Sequence, residues 1–182
     1  MRKILPPLLL LILMPVRAFA DQQRPSAEQV LAAAKSAAVQ QHKNIFLIFG
    51  ASWCKPCHEM EAFMEDAKIR PILAKYFVIA DLNVEEEQGK HPELNSPGGE
   101  KLVEDFGGKE RGVPFIVFLD EQGQQLINSN RPPQGKDKGG NVGYPAAPEE
   151  IDWFMQMLRK TLPSLTESDA HTIETWLRKA SR

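Results

Sequence analysis

Ile45-Phe46-Leu47-Ile48-Phe49, followed after Gly50-Ala51-Ser52 by Trp53-Cys54-Lys55-Pro56-Cys57, decides how this chain folds. Five consecutive apolar residues suit a parallel strand covered on both faces. The only two cysteines of the 182-residue sequence then stand three apart, where that strand should end and a helix begin. One thiol so placed can attack a disulfide and the other can resolve the mixed disulfide. The arrangement therefore reads as dithiol redox chemistry.

The helix start distinguishes the two thiols. Its unpaired N–H groups and positive dipole end favour a thiolate, and Cys54 falls at that end with the Lys55 cation beside it. Cys54 is thus the expected nucleophile. Cys57, one turn further in, is expected to be more buried and less ionised, suited to attacking the mixed disulfide once Cys54 is engaged. Pro56 fits a first helical turn, where its missing N–H matters little.

Bulk properties narrow the setting. Residues 1–20 carry Arg2 and Lys3, an apolar stretch through Met14, and Ala18-Phe19-Ala20 before Asp21. This pattern is that of a secretory signal peptide cleaved near Ala20, and its apolar core is too short to span a membrane. An exported chain, periplasmic or extracellular, is expected. Removing Arg2, Lys3 and Arg17 from the 22 basic residues leaves 19 against 24 acidic ones, a net charge of −5 for residues 21–182. Such a chain is one domain of ordinary size, and its mild acidity argues against nucleic acid as a partner. A purely structural disulfide is disfavoured, because so short a loop constrains the unfolded chain little.

Ser26-Ala27-Glu28-Gln29 reads as a capping box opening a helix to about Gln41. After the strand at 45–49 the helix from Cys54 continues through Met60, Phe63 and Met64, with Pro71 at a break or early turn of a further helical piece. Phe77–Val84 and Pro114–Leu119 read as the second and third strands. Asp120-Glu121-Gln122-Gly123 supplies a turn before a fourth strand at 124–127. A helix from Pro148 and another capped by Thr166 complete the chain. This is an α/β chain with a central mixed sheet flanked by helices. Residues 85–112 and 130–147 are expected as long surface loops, the first with a helical turn around 101–106.

Together these residues resemble the thioredoxin superfamily. The resemblance runs from about Asn44 to Leu162, leaving a C-terminal helical extension at 163–182. It rests on the apolar strand, on Ala51-Ser52-Trp53-Cys54-Lys55-Pro56-Cys57, and on Gly112-Val113-Pro114-Phe115 opening the hairpin about 60 residues later. It implies a thioredoxin fold and thiol-disulfide exchange on protein disulfides, with no cofactor beyond the Cys54–Cys57 disulfide. It further implies a cis Val113–Pro114 peptide against Cys54, a Val113 backbone that pairs with an extended substrate segment, and Trp53 flanking the sulfur. The sequence departs from the family at Ile48, where thioredoxins carry a buried acid that helps the second cysteine lose its proton. Asp81, on the next strand, is the expected substitute, with burial making it a better base.

Two other patterns pass through the same residues. Cys54-Lys55-Pro56-Cys57-His58 satisfies the spacing for covalent c-type haem attachment, which would not account for Trp53, Pro56 or Pro114. Cys54, Cys57 and His58 could also serve as soft ligands for copper, with Met60 or Met64 in support. Lys55-Pro56 resembles the Gly-Pro of reducing thioredoxins, which points to the reducing direction. A reductant in an oxidising compartment needs recharging, so a membrane electron-delivery protein is the implied partner.

Overall fold

The computed structural model describes residues 24–135 and 138–180. The expected signal peptide, 1–20, lies outside the described residues. A first helix, α1 (Ala27–Gln41), leads into β1 (Asn44–Gly50); α2 (Lys55–Glu65) and α3 (Arg70–Tyr76) then connect to β2 (Phe77–Asn83). A 3-10 turn (Pro92–Leu94) and α4 (Gly99–Asp105) precede β3 (Phe115–Leu119) and β4 (Gln125–Asn128). The two-residue strands β5 (Asn130–Arg131) and β6 (Gly140–Asn141), then α5 (Pro148–Thr161) and α6 (Glu167–Ala180), complete the order.

The sheet runs β2-β1-β3-β4, with β1 parallel to β2 and antiparallel to β3. It is the mixed sheet expected from the sequence. Its central strands are apolar through Ile45–Phe49 and Phe115–Leu119 because the two faces feed separate cores. Phe46, Ile48, Ile116 and Phe118 point to one face, where α2, α3, α5 and α6 pack. Ile45, Leu47, Phe49, Phe115 and Val117 point to the other, against α1 and α4. Phe46 and Phe118 meet edge to face with ring centroids 4.8 Å apart, a geometry worth about 1 kcal/mol beyond simple burial.

Local signals act as read. The Ser26 side chain accepts from the Gln29 amide, and the Gln29 side chain accepts from the Ser26 amide. Asp120 Oδ1 accepts from the amides of Gln122 and Gln124 and closes the β3–β4 turn. Thr166 Oγ1 accepts from the Asp169 amide at the start of α6. The α6 residues Ala170, Ile173 and Leu177 are buried in the same core as α5, so this helix is built into the fold.

The two segments expected as long surface loops hold ordered structure, α4 in the first and the β5–β6 ladder in the second. Ser96 runs along the outer edge of β2, its amide donating to the Asn83 carbonyl and its hydroxyl accepting from the Asn83 amide. The segment from 130 to 147 holds the β5–β6 ladder and returns to the 111–114 loop. Turn-rich composition marked both stretches as loops but carried no sign of what they pack on.

Candidate active site at the start of α2

Strand β1 ends at Gly50, and the chain turns through Ala51-Ser52-Trp53 to place Cys54 as the N-cap of α2. The Cys57 amide points at Cys54 Sγ, 3.1 Å away, as a helix N–H does toward a capping acceptor. Pro56 lies in the first turn, where no intrahelical partner is lost. Cys54 and Cys57 form a disulfide. Across from it the Val113–Pro114 peptide is cis, and the Val113 carbonyl oxygen lies 3.5 Å from Cys54 Sγ. The structure thus brings Cys54, Cys57, Pro56, Val113 and Pro114 into one place.

The burial of the two cysteines is the reverse of the expectation. Cys54 is 2% exposed, whereas Cys57 is partly exposed. Cys54 sits in the seam between α2 and the 113–114 loop. Cys57 faces a cleft of about 350 Å³ that it shares with Ile48, Met60, Glu61, Met64 and Asp81. That cleft is open because β2 is an edge strand and leaves the space beside α2 uncovered.

Asp81 stands opposite Ile48 in the parallel pairing and lines this same cleft. It is exposed, so the burial expected to make it a better base is absent. Its place on β2, an edge strand of the sheet, accounts for this. Lys55 is also solvated and has Glu59 Oε1 3.7 Å from its Nζ, which leaves the helix end as the main local field on Cys54.

Trp53 is 40% exposed beside the disulfide, with its indole N–H donating to the Glu85 carbonyl at 2.8 Å. Its ring rests on Gly89, where a Cβ would fall 2.6 Å from Trp53 Cδ1. Glu86, which the sequence reading passed over, is fully buried behind the motif. Its carboxylate accepts from the Ser52 amide at 2.8 Å and from the Ser52 hydroxyl at 2.6 Å. The Asn95 side chain in turn accepts from the Glu86 amide. His58 Nε2 lies 2.9 Å from the Ser52 carbonyl and must donate to it. Ser52 is therefore held from two sides, two residues before Cys54.

These commitments bear on the metal and haem readings. His58 turns its Nε2 to Ser52 rather than to the sulfurs, and Met60 is buried in the core. Among the described residues, no group of three or more His, Cys, Asp or Glu side chains is arranged to hold a metal ion. No helix among them is long and apolar enough to cross a membrane.

Comparison with known proteins agrees with the geometry. Residues 26–121 match the sequence model of a family described as Thioredoxin-like. The thiol:disulfide interchange protein DsbD of Photorhabdus laumondii is 32% identical over 89 residues, 48% of this chain and 14% of that protein. The disulfide bond reductase DsbH of Chlamydia pneumoniae is 29% identical over 110 residues, 58% of this chain and 60% of its own length. The chain thus spans less than two thirds of either relative. A disulphide isomerase structure from Xylella fastidiosa superposes with a TM-score of 0.49 at 16% identity, covering 94% of this chain and 99% of the other. Since the family match takes in more than half of its residues, the chain belongs to the thioredoxin-like family and carries the thioredoxin fold.

Proposed function

We propose that this chain is a thiol-disulfide oxidoreductase that reduces disulfides in protein clients through Cys54 and Cys57. The observation that supports this reading best is the disulfide at the start of α2, with a helix amide on Cys54 Sγ and the Val113 carbonyl facing it. In the reduced protein the Cys54 thiolate attacks one sulfur of the client disulfide and expels the other as a thiolate. Cys57 then gives up its proton, and its thiolate attacks Cys54 Sγ. The Cys54–Cys57 bond forms, the second client thiolate leaves, and two electrons have passed to the client. The Cys57 proton and one from solvent, matching the proton Cys54 released on ionising, end on the client sulfurs.

Cys57 opens on a cleft that Asp81 lines along with Glu61 and Glu65, so Asp81 is an acidic candidate to receive the Cys57 proton. Asp81→Asn should then shift the pH-rate profile of client reduction. An unchanged profile would leave that step to solvent in the open cleft. Lys55-Pro56 supports the reducing direction, as does similarity to a relative named a disulfide bond reductase. Export follows from residues 1–20 in sequence, and recharging by a membrane electron-delivery protein follows from reduction in an oxidising compartment.

The test is an equilibrium redox titration of residues 21–182 against glutathione and dithiothreitol, followed by Trp53 fluorescence. A reversible two-electron transition at strongly reducing potential is expected. A transition at a much more oxidising potential would reverse the direction of flow. No transition belonging to Cys54 and Cys57 would sink the oxidoreductase reading.

A further inference from the structure

The 130–147 excursion carries a side chain whose hydrogen bonds converge on the loop facing Cys54. Asn141, on β6, directs its Nδ2 at three backbone carbonyls of that loop: Gly112 at 3.0 Å, Pro114 at 3.0 Å and Arg111 at 3.3 Å. Its Oδ1 accepts from the Ser129 hydroxyl at 2.6 Å and from the Gly143 amide at 3.1 Å. Ser129 is itself 1% exposed, and its hydroxyl accepts from the Ile116 amide at 3.0 Å. The amide orientation has no competitor, because a flipped group would set its oxygen against three carbonyl oxygens.

Three carbonyls of the 111–114 loop, those of Arg111, Gly112 and Pro114, gathered on one amide are not needed to hold the sheet. The β3–β4 and β1–β3 ladders already do that with their own backbone pairs. What the amide determines is where residues 111–114 lie relative to β3, and Val113 is the residue whose carbonyl stands 3.5 Å from Cys54 Sγ. The excursion presses on the same loop a second time at Gly143, where a Cβ would fall 2.9 Å from the Pro114 carbonyl oxygen.

We propose that Asn141 is a positioning residue that holds the 111–114 loop at the distance from Cys54 that an extended client segment requires to pair with the Val113 backbone. This rests on the thiol-disulfide reading above. Strand-type pairing is set by backbone position, so a loop displaced by a fraction of an ångström weakens capture of an extended client. A small disulfide makes no such pairing and needs only to reach the Cys54 sulfur. Asn141 therefore acts on protein clients and not on the intrinsic exchange chemistry.

The experiment compares wild type with Asn141→Asp, which keeps the shape and sets an anion against the three carbonyls, and with Asn141→Ala. Ser129→Ala, which leaves Asn141 in place but removes one donor to its Oδ1 along with the acceptor of the Ile116 amide, serves as a second, indirect variant. Steady-state reduction of insulin, exchange with 5,5′-dithiobis(2-nitrobenzoic acid), redox potential and near-ultraviolet circular dichroism are measured on each. The expected result is a KM for insulin raised about tenfold in Asn141→Asp, less in Ser129→Ala, with kcat, potential and small-disulfide rate near wild type. An unchanged KM in folded Asn141→Asp overturns the proposal. So does a parallel fall of insulin and small-disulfide rates, or failure of all three variants to fold, either of which marks Asn141 as structural. A wild type inactive toward both substrates instead sinks the oxidoreductase reading itself.

Discussion

At the scale of single residues, the two cysteines divide roles that their burial alone would not assign. Cys54 is the more enclosed, yet it holds the helix-cap position where an amide points at its sulfur. On the proposed reading, field and not exposure makes Cys54 the nucleophile. Cys57→Ser should therefore accumulate a mixed disulfide between Cys54 and a client, visible by mass spectrometry, while Cys54→Ser should not. The opposite pattern would hand the attack to the sulfur in the open cleft. Glu86 acts one step back from this chemistry. With both carboxylate oxygens on Ser52, Glu86→Ala should destabilise the protein by about 2 kcal/mol, since hydrogen bonds to a charged group are stronger than neutral ones. For a chain of this size that is a fall of roughly 4–8 °C in Tm by calorimetry. The cysteines, Pro56 and Pro114 were legible because their chemistry is local to the motif. Glu86 was not, because Glu85-Glu86-Glu87 looks like a solvated run and only the folded loop shows its middle member turned inward.

At the scale of elements, legibility followed periodicity. β1 and β3 were readable from unbroken apolar runs, and α1 and α6 from their caps and helical spacing. The 130–147 stretch has neither, and its glycines and prolines reported only that the backbone turns. Their spacing from other parts of the chain was invisible. Two glycines in it now separate conformation from contact. Gly143 has φ +57° and its absent Cβ would sit 2.9 Å from the Pro114 carbonyl oxygen, whereas Gly135 has φ +59° with nothing within 4 Å. Alanine at either position incurs about 1–2 kcal/mol for the left-handed backbone. Gly143→Ala must also push the excursion away from the 111–114 loop, so its Tm should fall clearly further than that of Gly135→Ala. Equal losses would show that the excursion does not bear on that loop.

At the scale of the whole molecule, the C-terminal helix is the part whose place the sequence left most open. Amphipathic spacing said that α6 buries one face but not against what. The structure packs it on α5 and on α2, with Trp176 against Phe63 at a centroid separation of 5.1 Å. Its N-terminal turn is tied to α3 through Asp169, which accepts from Lys75 Nζ at 2.8 Å and from the Tyr76 hydroxyl at 2.7 Å. These bonds, the one from Lys75 first, hold the Asp169 carboxyl below its ordinary value of 3.8. A carboxyl whose pKa is depressed on folding adds stability above its unfolded pKa, and that stability is lost as pH falls through the folded one. Asp169→Asn should accordingly be less stable than wild type at pH 7, by about 1 kcal/mol, the usual worth of such a hydrogen bond. The gap between the two urea midpoints should narrow as pH drops below about 4, where the unfolded wild-type chain takes up a proton that the folded Asp169 resists, and close further as pH passes the lowered folded value. A gap that stays constant from pH 7 to pH 3 would show that packing of Ala170, Ile173 and Leu177, rather than the Asp169 charge, docks α6 on the domain.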